Sequence, residues 1–265
     1  MSEQGDIILS SEELAVLMVL SGYEELANQI LESRISLNDE NRFNYFIKSV
    51  EDSLRIKGYL DETRESMLKE EIEDFIQLLV HSQRKVRIIS GSKVSFLHQL
   101  VNKGFLFQEI KSDLHMFKLI PTFKANVLEK IFERRGDKTQ NAEGTAIRLN
   151  NKTFDQLLNM SIEELNILYL HDSTGIELKK FIKDLISNKH TFDNISFMTM
   201  DLNRDIMNIL EVQFYISGKE ERWVIDYSKI EFDEIYIISK TDREFYLEIE
   251  AGINDFFSES FTRSS

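Results

Sequence analysis

The side chains that most often carry out chemistry are scarce or poorly spaced in this sequence. There is no cysteine, which excludes disulfides, thiol catalysis and cysteine-ligated metal centres. The five histidines are His81, His98, His115, His171 and His190. None has the H-E-x-x-H or H-x-x-x-H spacing that places two zinc ligands on one helix face. His98 and His115 fall on strands that could be neighbours, so a metal-binding pair competes there with two ordinary sheet histidines.

Motifs for phosphate binding and for an activated nucleophile are missing as well. All ten glycines are isolated, and there is neither a Walker A loop nor a G-x-S-x-G elbow. Acidic pairs such as Glu12-Glu13 are common, but paired carboxylates do acid–base work only where a pocket separates their pKa values. With 46 acidic residues in the chain, a solvated surface explains such pairs better. We therefore predict that the protein is not an enzyme and uses no cofactor or metal ion.

Length and composition describe a globular protein of one large domain or two modest ones. The 265 residues include 42% hydrophobic and 29% charged side chains, close to ordinary globular usage. The net charge of −14 disfavours binding to nucleic acid or to an anionic membrane. The acidic start Met1–Asp6 lacks the features of a signal peptide, and the longest apolar run, Leu14–Leu20, is too short to cross a bilayer. We expect a cytoplasmic protein without membrane insertion.

Charge is distributed unevenly along the chain. Residues 1–80 contain 18 acidic and 7 basic side chains, whereas residues 81–135 contain 4 acidic and 11 basic ones. The basic segment could neutralise the acidic helices of the protein itself, which is the simpler interpretation. It could instead form a docking face for an acidic partner.

In the first half of the chain, apolar residues recur at helical spacing and then switch to the alternation of strands. Ser10 and Glu13 form a capping box that begins the first helix. The expected helices are about Ser10–Leu20, Glu24–Arg34 and Asn38–Lys57, with a fourth helix capped by Asp61. The expected strands are Lys85–Ser90, Lys93–Val101, Phe105–Ile110 and His115–Ile120, followed by a closing helix over Ala125–Phe132. Four consecutive short strands predict an antiparallel meander.

The pattern restarts after a polar segment at residues 135–150. Leu9–Leu17 reappears as Met160–Leu168 with five of nine positions identical, and the capping box recurs as Ser161 with Glu164. Helix is expected to continue to about Ile186. The strands expected next are Ile195–Leu202, Ile209–Ile216, Glu221–Tyr227, Glu234–Ser239 and Glu244–Ile249, before a last helix over Ala251–Phe261. The shared order indicates a structural duplication, although S-x-E-E-L is also a common helix start.

These patterns predict an α+β fold of two related halves, each with helices followed by an antiparallel β-meander and a closing helix. Residues 1–134 would hold the first helices and sheet, 135–150 a linker, and 151–265 the second helices and sheet. If the halves arose by duplication, their capped helices should superpose and their meanders should share one strand order.

Six residues are candidates for binding a partner protein. They are Lys103, Phe105, Phe107, Lys111, Phe214 and Trp223. The first four lie in the basic segment, where strand alternation places Phe105 and Phe107 on one face. An aromatic centre with charged residues at its rim suits a protein–protein interface. Phe214 and Trp223 lie on neighbouring strands and form either core, which is the commoner case, or an exposed hot spot.

The stretch Leu54–Glu62 also suggests a DNA-binding protein. It follows three helices and resembles the segment that leads into a winged helix. A recognition helix needs exposed Arg and Lys side chains to contact DNA. The helices that would enter the groove belong to the acidic segment 1–80 instead. A winged-helix-containing transcriptional regulator is therefore the alternative, and an enzyme of unknown type is a third class.

The N-terminal stretch Leu9–Leu26, L-S-S-E-E-L-A-V-L-M-V-L-S-G-Y-E-E-L, resembles the opening of the EspG/EsaE-like family of type VII secretion chaperones. Asp52–Asp61 is similar to that family's junction of leucine, glycine, apolar and acidic residues. An acidic helix and the strand start Val86–Ile89 follow it, as in the family. The resemblance covers residues 7–120 in some detail and the second half by layout. The Lys-, Ile- and Asn-rich composition indicates a firmicute relative.

The resemblance implies a two-halved fold and a nonenzymatic cytosolic chaperone or adaptor. Such a protein would bind a secreted protein substrate, or a component of the secretion machinery, before export. No residue that contacts the substrate is carried over from the family, because none of the matched motifs contains one.

Overall fold

The computed structural model describes residues 6–31, 40–100, 104–123, 127–128, 131–132, 145–201, 206–219 and 221–258. Helices and antiparallel strands occur in separate stretches of these residues, so the chain is an α+β protein. It divides into two compact units. The first unit comprises Met1–Lys85, Lys93–Thr122 and Met200–Met207, and the second comprises Val86–Ser92, Phe123–Thr199 and Asn208–Ser265.

Eight α-helices and ten strands have bounds within the described residues. The helices are α1 Ser11–Leu20, α2 Glu24–Leu31, α3 Glu40–Ile56, α4 Glu70–Val80, α5 Asn151–Asn159, α6 Ile162–Leu170, α7 Ile176–Ser187 and α8 Asp242–Ser258. The strands are β1 Ile7–Ser10, β2 Arg84–Ser90, β3 Lys93–Gln99, β4 Phe105–Lys111, β5 Leu114–Ile120, β6 Ala146–Leu149, β7 Asp193–Asp201, β8 Ile206–Ser217, β9 Arg222–Asp226 and β10 Ile235–Lys240.

The sheet of the first unit has the strand order β1-β5-β4-β3. Adjacent strands are antiparallel, with Leu97 opposite Phe107 and Leu106 opposite Leu119, so the expected meander is confirmed for β3, β4 and β5. The edge strand β1 was not predicted, because its four residues are too few to show alternation.

Helices α1, α3 and α4 supply most of the buried apolar core of this unit. Leu14 and Leu17 of α1 are buried with Leu54 of α3 and Ile76 of α4. The predicted capping box forms: Ser10 Oγ accepts a hydrogen bond from the Glu13 backbone N–H at 3.1 Å, and Glu13 Oε2 accepts one from the Ser10 N–H at 2.7 Å. The sequence therefore determines where α1 begins.

Glu13 is 5% exposed and is held by the end of α3. Lys57 Nζ donates to Oε2 and Ser53 Oγ donates to Oε1, each at 2.6 Å. Burial raises the pKa of the Glu13 carboxyl, but the hydrogen bonds from Lys57, Ser53 and Ser10 outweigh burial, and the pKa lies below its ordinary value. The carboxylate is thus charged and depends on Lys57.

We expect Lys57→Met to lower the free energy of unfolding by about 2–3 kcal/mol, because it leaves a buried carboxylate without its cation. Arg55→Met is the matched control on the same helix, since the ion pairs of Arg55 with Asp52 and Glu62 are exposed. Its effect should stay within about 0.5 kcal/mol. Urea denaturation of both variants measures the difference, and equal losses would contradict the role given to Lys57.

In the second unit the strands follow the order β2-β7-β8-β9-β10-β6. Strands β8, β9, β10 and β6 pair antiparallel, with Ile225 opposite both Phe214 and Ile237, and Ile237 opposite Ile147. The core of this unit is built from Phe181 of α7 and Trp223 of β9 together with apolar side chains of α5, α6 and β10.

Three expectations about local structure were wrong. Glu244–Ile249 lies in helix α8, not in a strand. Thr241 and Glu244 form a capping box there, and buried side chains recur at helical spacing from Phe245 to Phe257. Asp61 does not cap α4, because its Oδ1 accepts from the Thr63 backbone N–H and hydroxyl in a local turn.

The third error is the continuous helix to Ile186, which is interrupted at residues 171–175. There the Thr174 hydroxyl donates to the Leu168 carbonyl at 2.7 Å and ends α6. The expected linker 135–150 contains strand β6, and residues 135–144 lie outside the described residues. In the expected closing helix Ala125–Phe132, residues 127–128 and 131 are helical, and the others apart from Phe132 are not described.

Candidate partner-binding surfaces

The candidates in the basic segment are only partly available for contact. Lys103 lies outside the described residues. On β4, Phe105 is buried, Phe107 is half-buried and Lys111 is exposed. Leu106 belongs to the core of the first unit and alternates with these phenylalanines, as the strand pattern predicts. Phe107 and Lys111 therefore offer surface for a partner, and their role stays a prediction.

The aromatic candidates of the second half lie in or against its core. Trp223 is fully buried, its indole Nε1–H donates to Asp184 Oδ2 at 3.0 Å, and its ring packs edge-on against Phe181. Phe214 is half-buried and contacts Tyr227. The core interpretation is thus confirmed for Trp223, which presents no surface that a partner could reach.

His98 and His115 do come together, through Gln108. His98 Nε2 lies 2.9 Å from Gln108 Oε1, Gln108 Nε2 lies 2.8 Å from His115 Nδ1, and His115 Nε2 lies 2.8 Å from Ser11 Oγ. All four side chains are buried. The chain is a polar network inside the first unit, built across β3, β4, β5 and the start of α1.

The Ser11–His115 contact lies at one end of this network. Which of the two groups donates depends on the tautomer of His115, and the Gln108 amide orients both imidazoles together. A histidine that activates a serine must accept the hydroxyl proton of that serine. Ser11 is 2% exposed, so the contact holds two buried side chains in place within the first unit.

His98 titrates abnormally because of its surroundings. Burial, reinforced by the charge of Lys85, lowers the pKa of His98 to about 3. Its Nδ1 atom is buried and has no hydrogen-bond partner among the described residues. Burial also lowers the pKa of Lys85 to about 8. No group of three or more His, Cys, Asp or Glu side chains in the described part of the chain could hold a metal ion.

One cavity of about 220 Å³ lies between α4 and the sheet of the first unit. Phe75, Leu106 and Phe117 form its apolar wall, and Glu71 and Asp74 add carboxylates. Pockets for drug-sized ligands usually enclose about 300–1,000 Å³, so this space is small for such a ligand.

Two elements carry apolar side chains that the sequence interpretation missed and that are more exposed than the aromatic candidates on β4, β8 and β9. On β8, strand β9 pairs only from Phe214 to Ser217, and the earlier part of β8 exposes Ile209 and Leu210. Helix α6 exposes Ile167 and Leu170, which are 68% and 73% accessible. Large apolar side chains exposed together are typical of protein interaction sites.

Comparison with known proteins identifies the family to which the chain belongs. The family model described as "Uncharacterised protein YfjC" matches residues 6–248, so the chain belongs to the YfjC family. A search of curated proteins gives no match. In the described residues, no helix is long and apolar enough to span a membrane.

A solved structure shares the fold over nearly the whole chain. It is the Mycobacterium tuberculosis type VII secretion system chaperone EspG5, determined in complex with the PE25–PPE41 dimer. The TM-score is 0.56, and the likeness covers 96% of this chain and 96% of that one. The sequences are 8% identical, so the likeness concerns the fold.

Proposed function

We propose that this protein is a nonenzymatic cytoplasmic chaperone or adaptor that binds a type VII secretion substrate before export. The observation that carries the proposal is the fold shared with a type VII secretion chaperone over 96% of both chains.

The exposed apolar side chains support a role in protein binding. Ile209 and Leu210 on β8, and Ile167 and Leu170 on α6, would be desolvated by a bound protein, which is favourable at roughly 25 cal/mol per Å² of apolar surface. The net charge of −14 favours a protein partner over nucleic acid.

Affinity purification from the source organism tests this proposal. The tagged full-length protein should retain an exported protein, or a component of the secretion machinery, in a fixed molar ratio, as read by mass spectrometry. An unrelated acidic protein of similar size with the same tag is the control. The winged-helix alternative predicts that nanomolar protein shifts the electrophoretic mobility of a specific duplex DNA in about 150 mM salt. That result would overturn the proposal.

A further inference from the structure

Helices α1 and α6 begin with the same motif but differ in how far they are covered. Leu14 and its counterpart Leu165 are both buried. Two positions later the helices diverge, since Val16 is 9% exposed and its counterpart Ile167 is 68% exposed. This position is therefore apolar in both helices, although α6 lacks the neighbouring helices that pack on α1.

The missing neighbours can be identified from the order of elements. In the first unit, residues 21–69 separate α1 from α4 and contain α2 and α3. In the second unit, only residues 171–175 separate α6 from α7. Val16 shares one buried cluster with Ala27 of α2 and Leu54 of α3, and both helices pack on α1. The second unit has no helix inserted at the corresponding point of the chain, so the outward face of α6 stays uncovered.

Charge distinguishes the two helices in the same way. The capping glutamate of α1, Glu13, pairs with Lys57, the residue after α3, at 2.6 Å. The capping glutamate of α6, Glu164, is exposed, and the structure gives it no basic partner within the described residues. Glu163 and Asp172 are exposed beside it. The apolar face of α6 thus has an acidic border, which would attract a basic side chain of a bound protein.

We propose that the outward face of α6, formed by Glu163, Ile167 and Leu170, binds an amphipathic helix of the partner protein. That helix would place apolar side chains at i and i+3 or i+4 spacing against Ile167 and Leu170, and a lysine or arginine against the acidic border. It would bury Ile167, whose counterpart Val16 is buried within the first unit. The identity of the partner, an exported protein, rests on the proposed function. The chemistry of the contact does not depend on that function.

A second copy of this chain fits the face less well. Two α6 helices packed on each other would bring Glu163, Glu164 and Asp172 of both copies to one interface without a compensating cation. Like charges placed opposite each other oppose association. A helix with a basic residue satisfies both the apolar and the acidic part of the surface.

Site-specific photo-crosslinking in the source organism tests the inference. The photoreactive residue p-benzoylphenylalanine replaces Ile167 in the full-length protein, and mass spectrometry maps the peptide it captures. Ile56, which is 88% exposed on α3, is the matched control position. We expect position 167, and not position 56, to capture one segment of another protein that has helical apolar spacing and a lysine or arginine.

Retention of that protein is then compared among the wild type, Ile167→Asp and Ile56→Asp. We expect Ile167→Asp to reduce retention at least tenfold and Ile56→Asp to leave it unchanged. Both side chains are exposed, so thermal unfolding should be nearly the same in all three proteins.

The outcomes separate this inference from the proposed function. Capture of a second copy, capture of a segment without helical apolar spacing, or equal capture at both positions would overturn the inference. If the wild type retains an exported protein and Ile167→Asp retains it equally, the inference fails while the proposed function stands. If position 167 captures a basic amphipathic helix of a protein that is never exported, the inference stands and the proposed function fails.

Discussion

Arg222→Ala is expected to lower the free energy of unfolding by about 3–5 kcal/mol. The guanidinium of Arg222 is buried, with only 4% of the residue exposed. Its Nε donates to Asp242 Oδ1 at 2.6 Å, Nη1 to Ser217 Oγ at 2.8 Å and Nη2 to Tyr246 Oη at 3.0 Å. Alanine removes all three hydrogen bonds and the packing of the long side chain.

Aromatic rings surround the same guanidinium and add to the expected loss. The Arg222 Cζ atom lies between 5.0 and 5.9 Å from four ring centroids. They belong to Phe132, Tyr215, Phe245 and Tyr246. Cation–π contacts of this kind contribute roughly 0.5–2 kcal/mol, and more where the cation is desolvated. Removing the side chain also leaves a cavity that these rings cannot fill without moving.

Two further variants make the Arg222 prediction specific. Arg222→Lys keeps the charge but loses the planar fork, and should fall between the wild type and Arg222→Ala. Arg148→Ala is the matched control on β6, because Arg148 pairs with Glu234 from a largely exposed position. It should change the free energy of unfolding by less than about 1 kcal/mol. Urea denaturation followed by tryptophan fluorescence suits the measurement, since Trp223 lies next to Arg222, and equal effects of the two alanine variants would contradict it.

The second large effect concerns acid stability and His98. Burial and Lys85 hold the pKa of His98 near 3, below its ordinary value of 6.5. Above pH 6.5 the imidazole is neutral in both the folded and the unfolded protein. As the pH falls from 6.5 to 3, the unfolded chain binds a proton that the folded chain does not bind. The free energy of unfolding therefore falls over this range, by up to about 1.4 kcal/mol per pH unit.

We expect His98→Gln to remove this part of the pH dependence. Between pH 7 and pH 4.5 the wild type should lose about 2–3 kcal/mol more of its free energy of unfolding than the variant does. Carboxylates also titrate in this range, so the comparison between the two proteins is the informative quantity. The control His171→Gln, at an exposed position, should keep the wild-type slope. Parallel pH profiles for the wild type and His98→Gln would show that His98 is not the group responsible.

Sequence patterns were most reliable where local chemistry determines the structure. Both S-x-E-E-L capping boxes form, and the alternation in residues 93–120 produces β3, β4 and β5. The start of helix α8 is also determined locally, because Thr241 and Glu244 have the spacing of a capping box and form one. Asp61 shows the limit of such signals, since its side chain is suited to capping a helix but stabilises a local turn instead.

Features that depend on distant segments could not be derived from the sequence. The polar network joins Ser11 to His115 across 104 positions and depends on how β3, β4 and β5 pair. The exposure of Ile167 is a stronger example, because its local sequence nearly repeats that of the buried Val16. Helices α2 and α3 pack on α1, and no helix lies between α6 and α7 to pack on α6 in the same way. Burial is a property of the assembled unit, not of the local motif.

Secretion by cells with and without the gene tests the central claim most directly. The proteins retained by the tagged protein would be measured in the culture medium, in the soluble cell fraction and in the insoluble cell fraction. The chaperone account predicts that loss of the gene removes its substrate from the medium and moves it to the insoluble fraction, and that the wild-type gene restores both. Unchanged export of an equally soluble substrate would contradict the account.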